Sequence, residues 1–81
     1  MRGVLVDTGA LVALVRARDK HHARIAELMR KYADRPMDFA DASLMWAAEE
    51  TGAREILTTD RDFEIYRTRT QERLQLVLAL Q

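Results

Sequence analysis

Val4-Leu5-Val6-Asp7-Thr8-Gly9 opens the chain with a short apolar run that ends at an acid and two small residues. A mostly β-branched run of this kind is typical of a parallel strand that is buried on both faces. Apolar residues then recur at helical spacing from Leu11 to Val15, so Asp7 or Thr8 is placed to cap a first helix. The stretch predicts a strand followed directly by a helix.

Two further helices are predicted in the middle of the chain. The first of them has an apolar face that consists of Ile25, Leu28, Met29 and Tyr32. Its outer face carries Arg24, Glu27, Arg30 and Lys31. The next helix is predicted from an N-cap at Asp38 to about Glu50, with Gly52 as its left-handed C-cap. One face of this helix is formed by Leu44, Ala47, Ala48 and Thr51.

Two more strands complete the predicted order β-α-α-α-β-β. Glu55–Thr59 is predicted as the second strand, and Leu74–Leu80 as the third, with its leucines on one face. Phe63–Arg73, between them, is predicted to be irregular and charged. The connections are long enough for parallel crossovers, so the sequence predicts one α/β domain over residues 1–81 with a short, mainly parallel three-stranded sheet.

Composition limits the class of protein. The 81 residues include no cysteine, which excludes disulfides and thiolate metal sites, and 13 basic residues balance 13 acidic ones. No apolar run approaches the length of a membrane span, and Asp7 interrupts any signal-peptide core, so we expect a cytoplasmic protein without a membrane partner. A chain this short has a thin core, and oligomer formation would stabilise it.

Three acids occupy positions that suit a metal site. Asp7 and Asp60 each follow a predicted parallel strand, where α/β sheets place their ligands, and Asp41 lies in the first turn of the third helix. Clustered carboxylates favour a hard cation, Mg²⁺ or Mn²⁺, which can activate water for phosphodiester cleavage. Each acid also has an ordinary alternative: Asp7 as a helix cap, Asp41 as a partner of the helix dipole, and Asp60 as a turn former.

Three segments, in order, resemble the PIN-domain nucleases. They are Val4–Leu14, Arg35–Leu44 and Ile56–Phe63, the last reading Ile56-Leu57-Thr58-Thr59-Asp60-Arg61-Asp62-Phe63. The subgroup most similar is the ribonuclease toxins of bacterial type II toxin–antitoxin pairs. The resemblance implies a three-layer α/β/α fold, an RNA substrate, an antitoxin partner and a Mg²⁺- or Mn²⁺-dependent endoribonuclease activity.

The same resemblance assigns roles to individual residues. It places the family's metal-binding acids at Asp7, Asp41 and Asp60, with Asp62 as an accessory metal ligand. It places the supporting hydroxyl at Thr58, and Thr8 is positioned to act similarly from the first turn. Arg61, Arg67, Arg69 and Arg73 could bind RNA phosphates, although interleaved acids such as Glu64 and Glu72 also suit them to solvated ion pairs.

The chain departs from the family in its length. The segment that normally supplies the second acid, a glutamate, is missing, and Glu27 is a poor substitute because it belongs to the predicted solvent face. We therefore expect weakened or absent activity. The missing strands would also leave Val4–Val6 as a sheet edge open to pairing in a homo-oligomer. The alternative is a non-catalytic PIN remnant that oligomerises or binds an antitoxin, whether natural or an engineered miniature.

Overall fold

The computed structural model of the protein describes residues 4–6, 22–35, 37–58 and 60–77. Its three strands are parallel and lie in the order β1 (Val4–Val6), β2 (Glu55–Leu57) and β3 (Gln75–Val77). The predicted α/β fold with a small parallel sheet is confirmed, and all three strands are parallel. The predicted first helix and the end of the third strand, residues 78–80, lie outside the described residues.

One face of the sheet packs against the hydrophobic core. Leu5, Ile56 and Leu76 are register partners in adjacent strands, and all three pack into the main apolar cluster. On the other face of β1, Val4 is 49% exposed and Val6 is 48% exposed. The prediction that this strand is buried on both faces is therefore wrong, because its side chains alternate and only one face packs against the described helices.

Helix α1 (His22–Lys31) packs through the apolar face that the sequence predicts. Ile25 and Leu28 are fully buried, Met29 packs against the same cluster, and Tyr32 is buried just beyond the helix end. Arg30 and Lys31 lie in the last turn, where their positive charge complements the helix dipole.

Helix α2 (Phe39–Thr51) has both predicted caps. The Asp38 side chain accepts a hydrogen bond from the Asp41 N–H at 2.9 Å and satisfies a donor that the first turn leaves without an intrahelical partner. At the other end, Gly52 has a φ of 79° and donates its N–H to the Ala48 carbonyl at 3.0 Å. A side chain is strained at that φ, so glycine is the residue that ends the helix at least cost.

Two details of the predicted helix faces are wrong. Arg24 is not on a solvent face: its guanidinium makes a two-pronged ion pair with Glu49 of α2, and its side chain is only 14% exposed. Thr51 is exposed, whereas residues 41–45 are all buried, because α2 packs against both α1 and β1. With 10 and 13 residues, neither α-helix in the described part of the chain is long and apolar enough to cross a membrane.

The connection from β2 to β3 is more ordered than its charged sequence predicts. A 3-10 helix spans Arg61–Glu64, and Phe63, Tyr66 and Thr68 are buried. The Tyr66 ring meets Tyr32 edge-on at 5.0 Å and Phe63 at 5.3 Å between ring centroids. The Tyr32 hydroxyl also accepts a hydrogen bond from the Arg67 N–H at 2.8 Å. These aromatic contacts hold the connection against the helices.

Candidate functional site

Asp60 stands just beyond the carboxyl end of the central strand and begins the 3-10 helix. Its N–H donates to the Thr58 hydroxyl at 3.1 Å, and its Oδ1 accepts from the Asp62 N–H at 2.9 Å. The turn-forming role is therefore present in the structure. The same two bonds fix the position of the Asp60 carboxylate, and they give the predicted supporting residue Thr58 a definite task.

Asp41 is the buried acid of the site. Its side chain lies in the first turn of α2, and the residue is only 9% exposed. The Tyr66 hydroxyl donates to its Oδ2 at 3.4 Å, which is long for a bond between two oxygens. An acid whose only task was to complement the helix dipole would lie in solvent, where that interaction has no desolvation cost. The helix dipole alone therefore does not account for the burial of Asp41, which also accepts from the Asp38 backbone in a reciprocal cap.

Burial and two neighbouring acids act on the pKa of Asp41. Burial raises the pKa of Asp41 to about 6, and the negative charges of Asp38 and Asp60 act in the same direction. Hydrogen bonds from the Tyr66 hydroxyl and the Asp38 backbone oppose that rise. Burial also raises the pKa of Tyr66, helped by the charges of Asp41, Asp62 and Asp60. The Tyr66 hydroxyl therefore lies in the negative field of three carboxylates, of which Asp41 is its hydrogen-bond acceptor.

Of the four predicted acids, Asp41, Asp60 and Asp62 each raise the pKa of Tyr66 through their charge, and Asp60 also raises the pKa of Asp41. Asp7 and Thr8 lie outside the described residues, and their roles stay predictions. Within the described ranges, no group of three or more His, Cys, Asp or Glu side chains is arranged to hold a metal ion. The donors that are present are oxygens, the type that Mg²⁺ and Mn²⁺ accept.

A pocket lies beside the C-terminal half of α2, away from Asp41. It encloses about 390 Å³ and is lined by Arg24, Trp46, Glu49, Glu50, Arg54, Thr68, Arg69 and Thr70. Two of its arginines already have partners: Arg24 pairs with Glu49, and Arg54 pairs with Glu72, outside the pocket lining, and donates to the Ala48 carbonyl. A site built to bind a charged ligand would present such groups less completely paired. We therefore place the functional site at the acids.

The arginines of the connection divide into structural and solvent-facing groups. Arg67 donates through Nη1 to the carbonyls of Glu64, Ile65 and Tyr66, so it caps the end of the 3-10 helix. Arg61 is exposed, pairs with Glu64 at 3.4 Å, and lines an open groove of about 230 Å³ together with Arg73. The sequence suits these arginines either to RNA phosphates or to solvated ion pairs, and for Arg61 the ion pair is present.

Tyr66 is the site residue that the sequence interpretation missed. It lies in the stretch that the sequence predicts to be irregular and charged. Phe63 and Tyr66 are three residues apart, the spacing that places two side chains on one face of a helical turn. That spacing is the signal that could have identified both as core residues.

Comparisons with models of known protein families, with characterised proteins and with solved structures give no match to this chain.

Proposed function

We propose that the protein is a metal-dependent endoribonuclease of PIN type, with a reduced acidic site at the carboxyl end of β2. The observation that carries the proposal is the buried carboxylate of Asp41, whose pKa is raised to about 6 next to Asp60. Burying a carboxylate against like charge lowers stability, and such arrangements concentrate at functional sites. The three-layer PIN architecture and a cytoplasmic location belong to the same proposal.

A divalent cation is the partner that would relieve this repulsion. Asp41 and Asp60 would hold it together with Asp7, which the sequence places at the end of the neighbouring strand β1, and Asp62 would assist. Oxygen donors without thiolates suit Mg²⁺ or Mn²⁺. When bound, such an ion activates water for attack on a phosphodiester and stabilises the leaving oxygen.

The residues of the chain have distinct tasks in this proposal. Thr58 accepts from the Asp60 N–H and Asp60 accepts from the Asp62 N–H, so two hydrogen bonds hold the acidic turn, Asp60-Arg61-Asp62. The glutamate of the PIN pattern has no counterpart, and Glu27 does not replace it because its side chain is 56% exposed and pairs with Arg24. We therefore expect weak cleavage that needs a high Mn²⁺ concentration.

The decisive experiment measures cleavage of single-stranded and structured RNA with Mn²⁺, with a chelator, and with the Asp60→Asn variant. Asparagine keeps an acceptor for the Asp62 N–H, so the turn should survive while the charge is lost. We expect a loss of at least about 100-fold in rate, as is typical for removal of a catalytic group. Asp34→Asn, in an exposed turn, is the matched control and should cleave like the wild type.

Two outcomes would count against this assignment. Cleavage that persists in chelator and in Asp60→Asn would come from a contaminant. No cleavage at any Mn²⁺ concentration, in a sample shown to be folded, would favour the second candidate function.

That second candidate is a non-catalytic module that forms a homo-oligomer or binds an antitoxin-like protein. The observation that favours it is the half-exposed pair Val4 and Val6 on β1, which occupies one end of the described strand order. Exposed apolar edge strands invite pairing with another chain. Sedimentation velocity should show a dimer or larger species, and Val6→Lys should dissociate it, whereas Gln75→Lys on β3 should not. A wild-type protein that is monomeric at high concentration contradicts the oligomer.

A further inference from the structure

Tyr66 is held in place by its ring and not by its hydroxyl. The residue is fully buried, and its ring packs edge-on against both Tyr32 and Phe63 at 5.0 Å and 5.3 Å between centroids. Edge-to-face contacts at these distances are favourable and specific in geometry. The ring position is therefore set by the core, and the hydroxyl is carried to a fixed point beside Asp41.

The hydroxyl of Tyr66 lies within hydrogen-bonding distance of Asp41. It donates to Oδ2 of Asp41 at 3.4 Å. A tyrosine hydroxyl carries its proton at neutral pH. It can therefore donate to a carboxylate but cannot compete with it for a cation.

We propose that Tyr66 is a positioning residue that fixes the carboxylate of Asp41 toward the acidic turn at Asp60. The inference rests on the proposed function, because it gives the orientation of Asp41 a purpose in binding a divalent ion. Partners that orient a metal-binding carboxylate typically change metal affinity about 10- to 100-fold when removed.

The side chains offer a matched pair of variants. Tyr66→Phe removes the hydroxyl that contacts Asp41 and keeps the ring contacts in the core. Tyr32→Phe removes the other buried hydroxyl of the same aromatic cluster, which accepts from the Arg67 N–H and does not contact an acid. A merely structural effect of losing a buried hydroxyl should appear in both variants, whereas an effect through Asp41 should appear only in Tyr66→Phe.

The test uses the full chain and two readouts that do not require RNA cleavage. Calorimetric titration with Mn²⁺ should show affinity about 10- to 100-fold weaker in Tyr66→Phe and unchanged in Tyr32→Phe. Carbon-13 NMR of the metal-free protein should show a higher Asp41 pKa in Tyr66→Phe, because the hydroxyl stabilises the ionised carboxylate.

The two readouts separate two kinds of failure. Absence of Mn²⁺ binding by the wild type would overturn the proposed function. An Asp41 pKa that is the same in wild type and Tyr66→Phe, or an equal loss of Mn²⁺ affinity in Tyr32→Phe, would overturn the positioning role. Thermal unfolding of all three proteins, followed by circular dichroism, checks that each comparison is made between folded chains.

Discussion

Asp41→Asn should make the protein more stable at pH 8 while it abolishes any Mn²⁺-dependent cleavage. Burial next to Asp38 and Asp60 raises the pKa of Asp41 to about 6 from an ordinary value of 3.8. A neutral asparagine has the same shape, accepts from the Tyr66 hydroxyl, and needs no charge to be buried. Opposite effects of one substitution on stability and activity indicate a residue retained for function.

The sign and size of the stability change follow from proton linkage. Between pH 3.8 and about 6 the folded state holds the Asp41 proton more tightly than the unfolded state, so the unfolding free energy falls as pH rises. The destabilisation of the wild type by the ionised Asp41 is complete above about pH 7 and absent below about pH 4. A shift of roughly two units sets an upper limit of about 3 kcal/mol, and we expect on the order of 2 kcal/mol.

Urea unfolding at several pH values measures this difference. The difference in unfolding free energy between Asp41→Asn and wild type should be largest at pH 8 and should disappear by pH 4. Asp34→Asn, which changes net charge equally at an exposed turn, should show no such difference. Excess Mn²⁺ should raise the melting temperature of the wild type and leave Asp41→Asn unchanged. A variant less stable than the wild type at every pH would contradict the interpretation of Asp41.

The parts of the fold that the sequence predicts correctly depend on local chemistry. Asp38 and Gly52 mark the ends of α2 because a helix cap needs only a side-chain acceptor at one end and a left-handed residue at the other. The three strands lie where short apolar runs predict them, although in β1 only Leu5 faces the core. Neither inference needs knowledge of residues distant in the chain.

The parts that the sequence did not predict depend on distant partners. Arg24 is mostly buried because its guanidinium donates hydrogen bonds to Glu49, 25 residues further along the chain. The helical periodicity of the sequence does not indicate such a distant partner. Tyr66 is buried in contact with the ring of Tyr32, 34 residues earlier in the chain, and Phe63 packs against Tyr66 in turn. The position of Asp41 in a first turn was predictable, but its burial was not, since burial is set by the connection from β2 to β3 folding over it.

Phe63→Ala should leave the chain largely unfolded at 25 °C. The side chain is fully buried and joins the 3-10 helix to the ring of Tyr66. Truncating a buried phenylalanine costs about 3–5 kcal/mol through lost apolar contact and the cavity that remains. A domain of this size has a total stability of roughly 4–12 kcal/mol, and small cores lie toward the lower end. The substitution therefore removes most of the available stability.

Near-ultraviolet circular dichroism and the dispersion of amide signals in NMR measure the loss. Ile65→Ala is the matched control, because Ile65 lies two residues further along the same connection and is 37% exposed, so its truncation should cost less than about 1 kcal/mol. If Phe63→Ala kept a dispersed spectrum and a cooperative transition near that of Ile65→Ala, the connection would not be part of the core. The placement of the Tyr66 hydroxyl beside Asp41 would then lose one of the ring contacts that position it.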